Sequence, residues 1–116
     1  MSRITAALVV QKCPVGQFSH NLLKSLAIIE EASDRGAKIV VFPEMNLTGY
    51  TTGKDVQKIG KKIDSEWLSA LISLSNKLDI TILPGLAEID ESGQVFASHL
   101  VIKPDGSGKK YRKIHT

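Results

Sequence analysis

Two short apolar runs, Ile4 to Val10 and Lys38 to Phe42, bracket an amphipathic stretch from Ser19 to Arg35, and this order admits few folds. In and just before that stretch, Phe18, Leu22, Leu26 and Ile29 recur at helical spacing and share one stripe. The two runs are too short for helices and rich in β-branched residues, so they read as strands covered on both faces. Pro14 and Gly16 end the first run, Gly36 supplies a left-handed residue to close the helix, and Pro43, lacking an amide proton, stops the second. Strand, helix and strand joined so tightly form a parallel pair with a right-handed crossover.

Downstream, Trp67, Leu71, Leu74 and Leu78 share a face of a second helix from about Ser65 to Leu78, widened by Leu68 and Ile72, with Asp64 or Ser65 as N-cap. A third buried strand covers Ile80 to Leu86. Asp90 to Gly93 then turn the chain into a fourth strand, Gln94 to Ile102, and Pro104-Asp105-Gly106 turn it into a last one, Lys109 to His115. The front therefore reads as a doubly wound α/β arrangement and the tail as hairpins. With 116 residues, 42% of them hydrophobic, and no internal repeat or linker, the chain is one domain or part of one.

Several function classes are excluded early. A net charge of +3, concentrated in Lys109, Lys110, Arg112 and Lys113, is too weak a field for a nucleic-acid binder. The single cysteine, Cys13, can close no disulfide within the chain, and no Cys/His cluster has metal-ligand spacing. Gln11 and Lys12 end the first apolar run well short of a membrane span, and no cleavage site follows. The expectation is a cytoplasmic protein without metal, membrane or nucleic-acid partner.

Two places could carry chemistry. Phe42-Pro43-Glu44 sets a carboxylate just past the C-terminal end of a parallel strand, the edge at which open α/β sheets bind ligands. Glu44 is thus a catalytic candidate, although a carboxylate there can also simply cap a turn. In Tyr111-Arg112-Lys113-Ile114-His115, alternation sends Tyr111, Lys113 and His115 to one face and Arg112 and Ile114 to the other. Lys113 between two rings is a second candidate, against the plain alternative of a solvated basic edge that deters aggregation. Cys13, His99 and Trp67 are assigned to packing and His20 to the surface.

These two strings also carry a resemblance. Val41-Phe42-Pro43-Glu44 with Leu47-Thr48-Gly49-Tyr50, and Lys110-Tyr111-Arg112-Lys113-Ile114-His115, resemble the Glu and Lys motifs of the nitrilase superfamily, in the same order and separation. Pro14-Val15-Gly16, Asn21-Leu22, Gly36-Ala37, Gly85-Leu86-Ala87-Glu88 and Pro104-Asp105-Gly106 extend the likeness over nearly the whole chain. The resemblance implies an α-β-β-α sandwich of the carbon-nitrogen hydrolase type with a Glu-Lys-Cys triad and no cofactor. Glu44 would be the general base and Lys113 the cation that stabilises the tetrahedral intermediate; separately, Tyr50 after Gly49 is a candidate to bind substrate by lining a pocket beside Glu44, with simple packing as the alternative. A thiol is little ionised at neutral pH and needs such a base, and an ammonium can serve as an oxyanion donor.

The family's nucleophilic cysteine follows the lysine motif on an elbow, which is expected beyond Thr116, whereas Cys13 precedes both motifs. Phe96-Ala97 also stands where the family often has Tyr-Asn, and Thr116 where leucine usually follows the histidine. Residues 1–116 are accordingly expected to form the N-terminal portion of a single hydrolase domain, inactive alone, whose parent takes small amides, N-carbamoyl compounds or nitriles and forms homo-oligomers. The alternative is a non-catalytic half-fold that serves as a binding or oligomerisation module; nucleic-acid binding through the basic tail ranks last. Without its second half, such a sandwich leaves an apolar face bare, and each 100 Å² exposed forfeits about 2.5 kcal/mol.

Overall fold

The computed structural model describes residues 4–10, 12–49, 60–61, 63 and 65–114. The opening is β1 (Ala6–Leu8), α1 (Phe18–Asp34) and β2 (Ile39–Val41), followed by α2 (Ser65–Leu78) and β3 (Thr81–Leu83). β1, β2 and β3 pair in parallel, with Ala7, Val40 and Ile82 aligned across them. β4 (Gly85–Ile89), β5 (Val95–Ile102) and β6 (Gly108–Ile114) follow as antiparallel neighbours. Gly36 closes α1 at a φ of +89° as the helix-end spacing requires, while Ala37 N–H returns to the carbonyl of Ala32. The expected N-cap Asp64 lies outside the described residues.

Three expectations need correction. The run from Ile80 to Leu86 is two strands, because Pro84 offers the sheet no N–H and interrupts the ladder between β3 and β4. Its carbonyl still accepts Leu100 N–H at 3.0 Å, so both pieces stay on one edge of β5 while β6 occupies the other. The front is not doubly wound. β1, β2 and β3 advance across the sheet in one direction, and same-handed crossovers then put both helices on one face. Ile29 of α1 and Trp67, Leu71 and Leu74 of α2 form a single core there with Val40, Ile82, Leu86, Leu100 and Ile102.

The third correction concerns the other face. β1 was expected to be covered on both sides; instead Leu8 is 79% exposed, in keeping with the bare apolar face expected of a sandwich half. Leu8 aligns with Val41 and Leu83, and Ile39 with Thr81, on the side away from the helices. That layer of Leu8, Ile39, Val41 and Leu83 contributes nothing to the helix-side core. The sheet thus carries one packed face and one open, apolar face.

Candidate active site

The Glu44 turn begins where β2 runs out of ladder. Phe42 N–H still donates to Leu83 O at 3.1 Å, and Pro43 then ends the pairing. Beside β4 this leaves an edge position that β2 no longer fills, and residues 43–49 fold into it: Leu47 N–H donates to Gly85 O at 2.9 Å. The turn is closed internally by Asn46 N–H to Pro43 O (3.2 Å) and Gly49 N–H to Met45 O (2.7 Å). Met45 pays for the geometry with a φ of +57°, an uncommon conformation for a side chain without a local polar group.

Beneath the turn lies a buried polar brace. Asn46 Oδ1 accepts Gly85 N–H at 2.7 Å, and Asn46 Nδ2 donates to Ser25 Oγ at 3.0 Å. Ser25 Oγ in turn donates to the carbonyl of Asn21 at 2.7 Å within α1. Thr48 Oγ1 accepts Ala87 N–H at 2.9 Å, and Asn21 Nδ2 donates to Leu47 O at 3.1 Å and Pro14 O at 2.9 Å. Gly49 is required by close approach as well as by its φ of +83°, since a Cβ there would lie 2.6 Å from Val15 Cα and 2.8 Å from Cys13 O. The segment holding half-buried Cys13 therefore seals the far end of the turn. Glu44 itself is exposed, a carboxylate carried on a hydrogen-bonded turn.

The second candidate reaches the same region through strand register. Ala87 of β4 faces Ala97 of β5, which faces Lys113 of β6, so these three share one face of the sheet. Met45, next in sequence to Glu44, packs in one small cluster with Ala87, Val95 and Ala97. The turn that carries Glu44 and the strand that carries the exposed Lys113 thus both adjoin the Ala87–Ala97 patch, although the two residues are far apart in the chain. Tyr111 joins Lys113 on that face, opposite His99. Tyr50 and His115 lie outside the described residues.

On the helix side of β4, β5 and β6 the structure places an ion cluster that the sequence reading passed over. The Glu88 carboxylate, 2% exposed, accepts Arg112 Nε at 2.9 Å, Arg112 Nη2 at 2.6 Å, Lys110 Nζ at 3.2 Å and Ser98 Oγ at 2.7 Å. Arg112 also lies over the Phe96 ring, 4.5 Å from its centroid. Burial pushes the Glu88 carboxyl up, but the hydrogen bonds from Arg112, Ser98 and Lys110 outweigh it and hold the group below its usual value. Alternation along Lys110-Tyr111-Arg112-Lys113 is the signal that could have found it. Two cations on the face opposite Lys113 need an anion, and Gly85-Leu86-Ala87-Glu88 offers one.

Among the described residues no group of three or more His, Cys, Asp and Glu side chains could hold a metal ion, and no helix is long and apolar enough to cross a membrane. The arrangement does offer an exposed carboxylate on the braced turn and an exposed ammonium on β6. Such a pair can move a proton and stabilise an anion on a small molecule lying across the patch.

Comparison with known proteins identifies the family and the fold. The model of the carbon-nitrogen hydrolase family matches residues 5–116. A nitrilase of Pyrococcus abyssi is 38% identical over 98 residues, which cover 82% of this chain and 37% of that protein. An (R)-stereoselective amidase of a Pseudomonas species is 29% identical over 101 residues, 86% of this chain and 36% of the amidase. The chain thus spans about a third of the length of these relatives. Among solved structures, Saccharomyces cerevisiae Nit3, a member of branch 10 of the nitrilase superfamily, superposes with a TM-score of 0.79 at 25% identity over 97% of this chain and 44% of its own. The CN-hydrolase superfamily protein XC1258 of Xanthomonas campestris shares the fold at a TM-score of 0.81 and 21% identity, over 99% of this chain and 42% of its own. With its two described helices and mixed sheet matching that fold, and a family model covering almost every residue, the chain belongs to the carbon-nitrogen hydrolase family.

Proposed function

We propose that residues 1–116 are the Glu- and Lys-bearing portion of a hydrolase acting on non-peptide carbon-nitrogen bonds, with Glu44 as general base and Lys113 as the cation facing the developing oxyanion. The nucleophile in this reading is a cysteine supplied by polypeptide outside these residues and packed against the open face. Glu44 takes the thiol proton, the thiolate attacks the carbonyl or nitrile carbon, and Lys113 stabilises the charge that moves onto oxygen or nitrogen. Glu44 then returns that proton to the departing amine or ammonia (for a nitrile, after a first water has added to the thioimidate), and, again a carboxylate, takes a proton from the water that attacks the thioester and releases the acid and the thiolate. Substrates are small amides, N-carbamoyl compounds or nitriles, with Tyr50 lining their pocket. The observation that supports the reading best is the common face: the carboxylate-bearing turn and Lys113 border one patch through Met45, Ala87 and Ala97.

A chimera tests it. Residues 5–116 replace the matching segment of the Pyrococcus abyssi nitrilase, and the product is assayed against amides, N-carbamoyl amino acids and nitriles. The expected result is a working hydrolase in which Glu44→Gln and Lys113→Ala each reduce kcat/KM by about 10³-fold. Cys13→Ser should leave it unchanged. A folded but inactive chimera, or full activity in Glu44→Gln, overturns the proposal.

The open apolar face supports a second reading, in which the chain acts as an oligomerisation module, because Leu8, Ile39, Val41 and Leu83 await a covering layer. A monodisperse oligomer of the purified chain by light scattering is the outcome that reading requires. A homo-oligomeric, cytoplasmic parent is part of the hydrolase proposal, in keeping with a sequence whose one cysteine cannot pair within the chain.

A further inference from the structure

His99 was assigned to packing, but its imidazole does something more specific. It stands on the open face of β5, half-buried, and its Nε2 lies 3.2 Å from the carbonyl oxygen of Phe42, 57 residues earlier. A carbonyl only accepts, so Nε2 must carry the proton. Phe42 is the last residue before the Pro43-Glu44 step. Its N–H is still tied to β3, whereas its carbonyl, followed by a proline, has left the ladder.

Reaching that carbonyl requires an opening in β4, and Gly85 provides it. Gly85 is the register partner of His99. A Cβ on Gly85 would lie 3.1 Å from His99 Nε2, 3.0 Å from Pro43 O and 2.9 Å from Met45 N. The imidazole, the peptide before Glu44 and the peptide after it therefore converge over one hydrogen-only residue. From α1 the turn is held by Ser25 through Asn46, and from β4 by Gly85 and Ala87. His99 adds the hold from β5, the strand that also carries Ala97 opposite Lys113.

We propose that His99 is a positioning residue for Glu44: by donating its Nε2–H to the Phe42 carbonyl it couples the turn that carries the base to the strand that carries the neighbour of Lys113. This rests on the reading of Glu44 as the base, and the test separates the two. In the 15N-labelled chain, the ring spectrum of His99 should show Nε2 protonated. Amide exchange at Asn46, Leu47 and Gly49 should quicken roughly five-fold in His99→Leu, as expected for one lost hydrogen bond. His99→Gln, which keeps a donor at similar reach, should restore the native rates, and the core amides of Ile80 and Ile82 should not change.

In the chimera, His99→Leu should lower kcat about ten-fold at constant KM, and His99→Gln should recover it. Unchanged exchange in His99→Leu, no rescue by His99→Gln, acceleration spread equally to Ile80 and Ile82, or an Nε2 without a proton overturns the positioning role. An inactive chimera whose exchange pattern follows these expectations counts against Glu44 as the base and supports the His99 contact.

Discussion

Asn46 has no solvent exposure and satisfies partners on two elements at once, so the rigidity of the Glu44 turn depends on it more than on any apolar neighbour. Asn46→Ala strands the Gly85 N–H and removes the donor to Ser25, and should cost about 3 kcal/mol in denaturant unfolding. Glu88 is the other residue with a disproportionate role. Its folded value lies below the ordinary carboxylate range, so its ionised form stabilises the fold above the unfolded value, and that contribution is lost as pH falls through the depressed one. Glu88→Gln should therefore cost about 2 kcal/mol near neutral pH, less than for a fully buried pair because Lys110 and Arg112 are about a third exposed. The gap between wild type and variant should close in urea titrations carried below the ordinary carboxylate range, and a gap independent of pH would show that the ion cluster is not its source.

At the scale of elements, α2 appears over the range that its Trp67, Leu71, Leu74 and Leu78 stripe anticipates, because one apolar face of a helix needs only local periodicity to be recognised. Leu71 is its anchor, fully buried between α1 and the sheet. Leu71→Ala should cost about 3 kcal/mol by loss of contacts and an unfilled cavity, while Ser69→Ala on the exposed side should change stability by less than about 0.5 kcal/mol in the same unfolding assay. The strands were less legible. The break at Pro84 shows why: an apolar run does not reveal which of its residues face a ladder partner, and only the neighbouring β5, paired with β3 on one side of the proline and β4 on the other, makes the interruption visible.

For the whole molecule, the main consequence is the asymmetry of the sheet. One face is sealed by two helices, while Leu8 on the other is largely exposed beside Val41 and Leu83. Covering about 100 Å² of such surface is worth about 2.5 kcal/mol, so self-association of the chain by itself requires burial of several times that area to offset the cost of association. Leu8→Lys should shift light scattering toward the monomer without lowering the thermal midpoint. An unaltered scattering profile would place the association surface elsewhere.

Local chemistry wrote much of this protein into its sequence. Helical periodicity, the left-handed Gly36, the Pro43-Glu44 step and the alternation around Lys113 each depend on residues within a turn or a strand of one another, and they conveyed the α/β class and both described helices and pointed to the two candidate groups. What depended on residues far apart in the chain came from the tertiary structure. The one-sided winding, the split at Pro84, the anion that gathers Lys110 and Arg112, and the imidazole that reaches Phe42 across Gly85 are all set by strand register. Register is chosen by the packing of the whole sheet, so no local stretch of sequence states it.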